Sequence, residues 1–181
     1  MPTLPPLDAS DHVSGPDGAR VTLVQYGDLE CPYSKDVHDV VRDVRSTFPD
    51  DVRYVFRHFP VRYHPNALRA AVAAEEAARQ GEFWAFQDRL YAHQLQLRAD
   101  QLVEHARALG LDAEAVQEAL GAETDQARIL AQKRAGVKAG VRSTLNLWID
   151  GELFEEDDLE AALVARVIQP LKEHEREGQP E

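Results

Sequence analysis

Val21-Thr22-Leu23-Val24-Gln25-Tyr26 leads through Gly27-Asp28-Leu29-Glu30 to Cys31-Pro32-Tyr33-Ser34, an apolar run that passes an acidic turn and arrives at a cysteine. Beyond it, Val37, Val40, Val41, Val44 and Phe48 fall on one face at helical spacing. The pattern predicts a buried strand over 21–26 and a helix from Cys31 to about Phe48, closed by Pro49. Pro32 suits a first helical turn, where its missing N–H costs nothing. Cys31 therefore stands at a helix N-terminus, where unpaired N–H groups and the positive end of the dipole favour thiolate over thiol. It is the only cysteine in the chain. An internal disulfide and a cysteine metal cage are both excluded, which leaves lone-thiol chemistry or none.

Working outward, Val52 to Phe59 reads as a second strand, rich in β-branched and aromatic residues and stopped by Pro60. Strand, helix, strand over so short a span predicts a βαβ unit with parallel strands and a right-handed crossover. From Pro65 to about Ala139 the period is helical throughout. Five helices are expected: from Pro65 to the stop at Gly81, around Phe83 to Tyr91, Ala99–Leu109, Asp112–Leu120, and Thr124 to about Ala139. Leu145-Asn146-Leu147-Trp148-Ile149 then reads as a strand, and Asp150-Gly151 as a two-residue hairpin turn before Glu152-Leu153-Phe154. A last helix is expected from a cap at Asp157 or Asp158 through Leu163, Val167 and Ile168. Pro170 should end or kink it, with a frayed polar tail after Lys172. Residues 1–18, with Pro2, Pro5, Pro6, Gly15, Pro16 and Gly18, read as an irregular arm with a short edge segment near His12-Val13.

The 181 residues suit one domain, or one domain with a large insertion. Apolar residues make up 44%, enough for a substantial core. The formal net charge of −12, from 20 basic and 32 acidic residues, argues against nucleic acid and anionic membrane as partners. No apolar stretch approaches the roughly 20 residues of a membrane span. A single cysteine and an N-terminus without the pattern of a signal peptide predict a reducing cytoplasm.

Several separated motifs together resemble the DsbA-like branch of the thioredoxin superfamily. They are Tyr26-Gly27-Asp28-Leu29-Glu30-Cys31-Pro32-Tyr33, Arg57-His58-Phe59-Pro60 with His64-Pro65, Gly81-Glu82-Phe83-Trp84, and Gly140-Val141 through Gly151. The last is similar to the family's Gly-Val-x-Gly-Thr-Pro-x-Phe-x-Ile-x-Gly loop and strand. The likeness runs from about residue 11 to 169, and is strongest to cytosolic members and to the thioredoxin-like domains fused to some sodium/proton antiporters. It implies an α/β fold: a thioredoxin-like domain over 19–62 and 140–170, an all-helical insertion over 63–139, and a polar tail over 171–181. The chain departs from the family at two places, both in the active site. Ser34 replaces the second cysteine of Cys-x-x-Cys. Leu145, after Ser143-Thr144, replaces the proline whose cis peptide faces the active-site cysteine; a leucine there favours a trans bond.

The resemblance implies thiol–disulfide exchange, and the departures restrict it to a monothiol form. Cys31 is the expected nucleophile, exposed and activated; Asp28 and Glu30 oppose the activation where their carboxylates approach the sulfur. Ser34 either fills the space of the lost thiol or donates its hydroxyl to the Cys31 thiolate. Pro32, Tyr33, Thr144 and Leu145 are the expected substrate-facing positions, with Tyr33 a surface side chain and Thr144 offering backbone groups to an extended substrate. Protein or small-molecule thiols and disulfides are the expected partners, with a low-molecular-weight thiol as co-substrate, no other cofactor, and a disulfide-linked homodimer through Cys31 at high concentration. His38 lies two turns below Cys31, too deep for an obvious base. His58 and His64 read as structural hydrogen-bonding groups. His93, His105 and His174 show no ligand spacing, His12 lies on the arm, and no metal site is expected. Two other readings stand beside the first: a non-catalytic binding module that kept the scaffold and lost the redox couple, and an enzyme resembling the kappa-class glutathione transferases, which bind a thiol cofactor.

Overall fold

In the computed structural model, which describes residues 3–144, 147–154, 161 and 164–177, the βαβ unit forms as its periodicity predicts. Strand β2 (Val21–Gly27) feeds helix α1 (Pro32–Thr47), which returns the chain to strand β3 (Val52–His58), parallel to β2 with Leu23 opposite Tyr54. The arm contributes β1 (His12–Ser14), antiparallel to β3 at the edge anticipated near His12-Val13. Strands β4 (Leu147–Ile149) and β5 (Glu152–Phe154) form the hairpin, and β4 pairs antiparallel with β2. The five-stranded sheet is thus ordered β1-β3-β2-β4-β5. Asp150 and Gly151 both take positive φ, 49° and 85°, as a two-residue turn with right-handed strand twist demands.

Side chains alternate across β2 and β3 and supply two faces. Val21, Leu23, Val52, Tyr54 and Phe56 join the apolar face of α1. That cluster continues into helices α2 (Ala67–Arg79), α3 (Phe83–Ala92), α4 (Ala99–Ala108) and α5 (Ala113–Gly121). On the opposite face, Val24, Tyr26 and Val55 pack with Phe59, Ala139, Val141 and Trp148. Helix α6 (Gln126–Lys138) lies over this second face, where Gly136 meets Tyr26 and Phe59. Helices of this segment thus pack on both faces of the sheet. The arm is fastened by a buried ion pair: Arg57 Nε and Nη2 donate to the two Asp11 carboxylate oxygens at 2.7 and 2.8 Å, and Arg57 Nη1 to Tyr26 Oη at 2.9 Å. Burial alone would lower the Arg57 pKa, but Asp11 and Tyr26 outweigh it and raise it.

The C-terminal segment differs from expectation. A π-helical turn at Val164–Ile168 passes directly into helix α7 (Gln169–Glu177). Pro170 does not end the helix, and the described residues after Lys172 stay helical to Glu177. The π-turn directly before Pro170 already departs from the i→i−4 ladder that a proline would break, and such a turn is a common site of a kink. Leu171 is buried and joins Val167 in the main core. The expected caps at Asp157 and Asp158 lie outside the described residues.

Close approach of α6 to β2 depends on Gly136. A methyl group there would lie 2.6 Å from Tyr26 Cε1 and 2.8 Å from its Cδ1, and Tyr26 is fully buried. Ordinarily a helix-interior Gly→Ala change gains about 1 kcal/mol. Here overpacking should reverse the sign, and urea unfolding of Gly136→Ala should show a loss of about 1–3 kcal/mol.

Candidate functional site

Pro32 drives the residue before it out of the helical region, so Cys31 takes extended angles (φ −83°, ψ 125°) and becomes the N-cap of α1. The turn that delivers it is held by buried polar groups. Asp28, itself buried, accepts hydrogen bonds from Glu30 N at 2.8 Å, Val61 N at 2.7 Å and His64 Nδ1 at 2.8 Å. Glu30 accepts from Asn66 N and Asn66 Nδ2 at 2.6 and 2.9 Å. Both carboxylates are thus committed to the loop after β3. His64 acts as the structural hydrogen-bonding group expected of it.

Cys31 itself is buried, with 4% of its surface exposed, where an exposed thiol is expected from its helix-terminal position. Its sulfur makes no capping bond to the helix N–H groups. Instead Sγ lies 2.9 Å from Oγ1 of Thr144, on the loop leading to β4, so a distant segment covers the sulfur. Thr144 thus meets the sulfur through its side-chain hydroxyl. Ser34 is fully buried. Its hydroxyl accepts from Asp28 N at 2.9 Å and donates to Thr144 O at 3.5 Å, so it ties the turn to the covering loop; among the described residues it makes no hydrogen bond to Cys31, the second of the two roles open to it. Tyr33 is a surface side chain, 57% exposed. Leu145, with its expected trans peptide, lies outside the described residues.

Several groups at the site escape a sequence reading. Gln94 Nε2 donates to the carbonyls of Leu29 and Cys31, at 3.2 and 2.9 Å, and so fixes the turn from the helical segment. Gln25 Nε2 donates to Ser34 O at 3.0 Å and its Oε1 accepts from Tyr54 Oη. The signal for Gln25 is an amide on a strand otherwise buried and apolar. Tyr91 is buried below the site; burial pushes its phenol well above the ordinary value, and the nearby Tyr54, Asp28 and Cys31 add to the effect. His38 packs on the Tyr91 ring at 4.6 Å and places Nε2 2.8 Å from Asp88 Oδ1, away from the sulfur.

Three large side chains are exposed on the segments tied to this turn: Tyr33 in the first turn of α1, Tyr63 edge-on to His64, and Leu95 next to the Gln94 that holds Cys31 O. The sulfur itself is buried and in contact with a hydroxyl.

Comparison with known proteins agrees with this architecture. A family model described as Thioredoxin matches residues 8–168. The chain is 35% identical over 175 residues to the Na(+)/H(+) antiporter NhaA of Herminiimonas arsenicoxydans, and 40% identical over 148 residues to the Na(+)/H(+) antiporter NhaA 3 of Salinispora tropica. These matches take in 96% and 81% of the chain but only 27% and 22% of the antiporters' length. Among solved structures, a thioredoxin-like oxidoreductase from Silicibacter pomeroyi superposes with TM-score 0.77 at 27% identity, covering 91% of this chain and 94% of that one. BdbD from Bacillus subtilis gives 0.77 at 23% identity, covering 88% and 92%. Alpha-DsbA1 from Wolbachia pipientis gives 0.78 at 16%, covering 96% of both chains. The last two show the fold alone.

Burial under Thr144 sets the expected reactivity of the thiol. Iodoacetamide should modify Cys31 more slowly in the native chain than in the urea-unfolded chain at the same pH, and Thr144→Gly should narrow the difference. Mass spectrometry of timed, quenched samples measures both rates.

Proposed function

The chain belongs to the thioredoxin family, and from that premise we propose that it is a DsbA-like member that carries out thiol–disulfide exchange through one sulfur, Cys31. The observation that carries the reading is the placement of Cys31: N-cap of α1, beside a loop whose Thr144 touches the sulfur, with Ser34 where a resolving thiol would stand. The Cys31 thiolate attacks one sulfur of a mixed disulfide; a Cys31–S–S–R bond forms, and the other half leaves as its thiolate. An external low-molecular-weight thiolate then attacks the adduct, takes the R–S group as a new disulfide and restores the Cys31 thiolate. Two sulfur–sulfur bonds are made and two broken, and the external thiol supplies the electrons. Ser34 has no thiol to resolve the adduct, so net disulfide formation in a client protein lies outside this chemistry.

The exposed side chains of Tyr33, Tyr63 and Leu95 suit a substrate disulfide carried on a peptide or protein. No described helix is long and apolar enough to cross a membrane. A reducing compartment such as the cytoplasm would keep both Cys31 and the external thiol reduced. A homodimer linked through Cys31 requires both sulfurs to leave their Thr144 contacts.

One observation favours a second reading. Burial of Cys31 against Thr144 suits a binding module that keeps the scaffold without turnover.

Turnover separates the two. With a glutathionylated peptide and excess glutathione, the chain should release peptide thiol catalytically, and Cys31→Ala should abolish the release. Mass spectrometry should find glutathione on Cys31 during turnover. Release no faster than in the absence of protein, with Cys31 unmodified, would establish the binding module instead.

A further inference from the structure

Away from Cys31, three side chains from separate elements converge at the junction of β1, β3 and α2. His12 Nε2 lies 2.9 Å from Glu75 Oε1, and His58 Nε2 lies 3.0 Å from that same oxygen. All three atoms fall within 4.8 Å of one another. We infer that His12, His58 and Glu75 form a binding site for a divalent transition-metal ion of the zinc class. This replaces the expectation, drawn from histidine spacing, that the chain holds no metal site: spacing along the sequence cannot register ligands brought together by β1–β3 pairing and by α2.

Four features support it. The donor set, two imidazoles and one carboxylate, is one that zinc accepts, leaving a fourth position free. In a tetrahedral site with bonds near 2.0–2.1 Å, neighbouring ligand atoms stand roughly 3.3 Å apart. The observed 2.9 and 3.0 Å need to open by only a few tenths of an ångström. Second, His58 is 99% buried, yet its Nε2 has no well-directed hydrogen bond although it faces the carboxylate. A buried polar atom without a partner is costly, and a cation between nitrogen and oxygen would remove the cost. Third, the rings are already oriented. His12 stacks on Phe83 at 3.5 Å with a 7° interplanar angle, and His58 stands edge-on to Phe56 and Phe83. Glu75 is turned by Arg128, whose Nη2 bonds the other carboxylate oxygen and leaves Oε1 for the ion. Arg128 is shared with Asp125, which offsets its charge near the site. Finally, His12 and Glu75 line an open cavity of about 530 Å³ with Ser10, Asp11, Arg79 and Arg128, giving the ion a route in and the fourth position room for water.

The test uses the full chain, freed of metal with a chelator, and titrates it with Co²⁺ and Zn²⁺. Co²⁺ should develop intense visible bands of a four-coordinate complex, saturating at one ion per chain, and Zn²⁺ should displace it. Cys31→Ser should titrate as the parent does, since the thiol is not a ligand. His12→Ala, at the more exposed ligand, should weaken Zn²⁺ binding by more than the roughly 10–100-fold that outer-shell changes cost. Failure of the parent to form the cobalt complex overturns the inference, whether or not any variant folds. Equal affinity of the parent and a folded His12→Ala does so too.

Discussion

A buried carboxylate, Asp28, is what the site is built on. Placing an ionised group in the interior is tolerable only when its oxygens are fully bonded. Asp28 meets that condition with Glu30 N, Val61 N and His64 Nδ1, three donors from two segments. Its own N–H is received by Ser34. The turn after β2 and the loop after β3 are therefore one unit, and Cys31 inherits its position from it. Glu30 extends the unit to Asn66, where the chain enters α2. The two acidic residues that precede the cysteine are thus turned to structural use.

Burial and access pull against each other at Cys31, whose sulfur must meet a substrate yet lies beneath Thr144. The sulfur's neighbour is a hydroxyl, which serves either state: it donates to a thiolate and accepts from a thiol. Thr144 belongs to the loop before β4, and Ser34 touches the carbonyl of the same residue. Movement of that loop would expose the sulfur and loosen Ser34 together. Access to the thiol and the stability of the turn are thus coupled through one residue.

The layout of strands and helices was largely legible in the sequence because it rests on local period. β2 and β3 are apolar runs with clear ends, α1 has a clean apolar face, and Asp150-Gly151 has the chemistry its turn needs. Family likeness pointed to Cys31, Ser34 and Thr144 as a group. What stayed hidden depends on distant contacts. The cover over Cys31 comes from a residue 113 positions away, and Gln94 reaches the turn from beyond α3. Pro170 does not stop the helix because the π-turn before it already departs from the i→i−4 ladder that a proline would break, a local feature no sequence period announces. Glu75 sits in an alanine-rich helix, where a charged residue reads as solvated; only the fold reveals that its position faces inward.

Glu75 also shows how the helical segment and the sheet are joined. A purely apolar contact between α2 and β3 would hold many small rotations of the helix at similar energy, because hydrophobic burial is non-directional. A carboxylate hydrogen-bonded to His12 and paired with Arg128 is directional and admits one of them. His12 lies on β1 and Arg128 on α6, so a single side chain of α2 references the arm at the sheet's edge and the helix on the opposite face. The Asp28 unit does the same at the other end of α2, through Glu30 and Asn66. Helix α2 is consequently fixed at its start and along its length by charged groups, and the helices packed on it, α3 and α5, take their places from it. Gln94, just past α3, then carries that placement back to the carbonyl of Cys31.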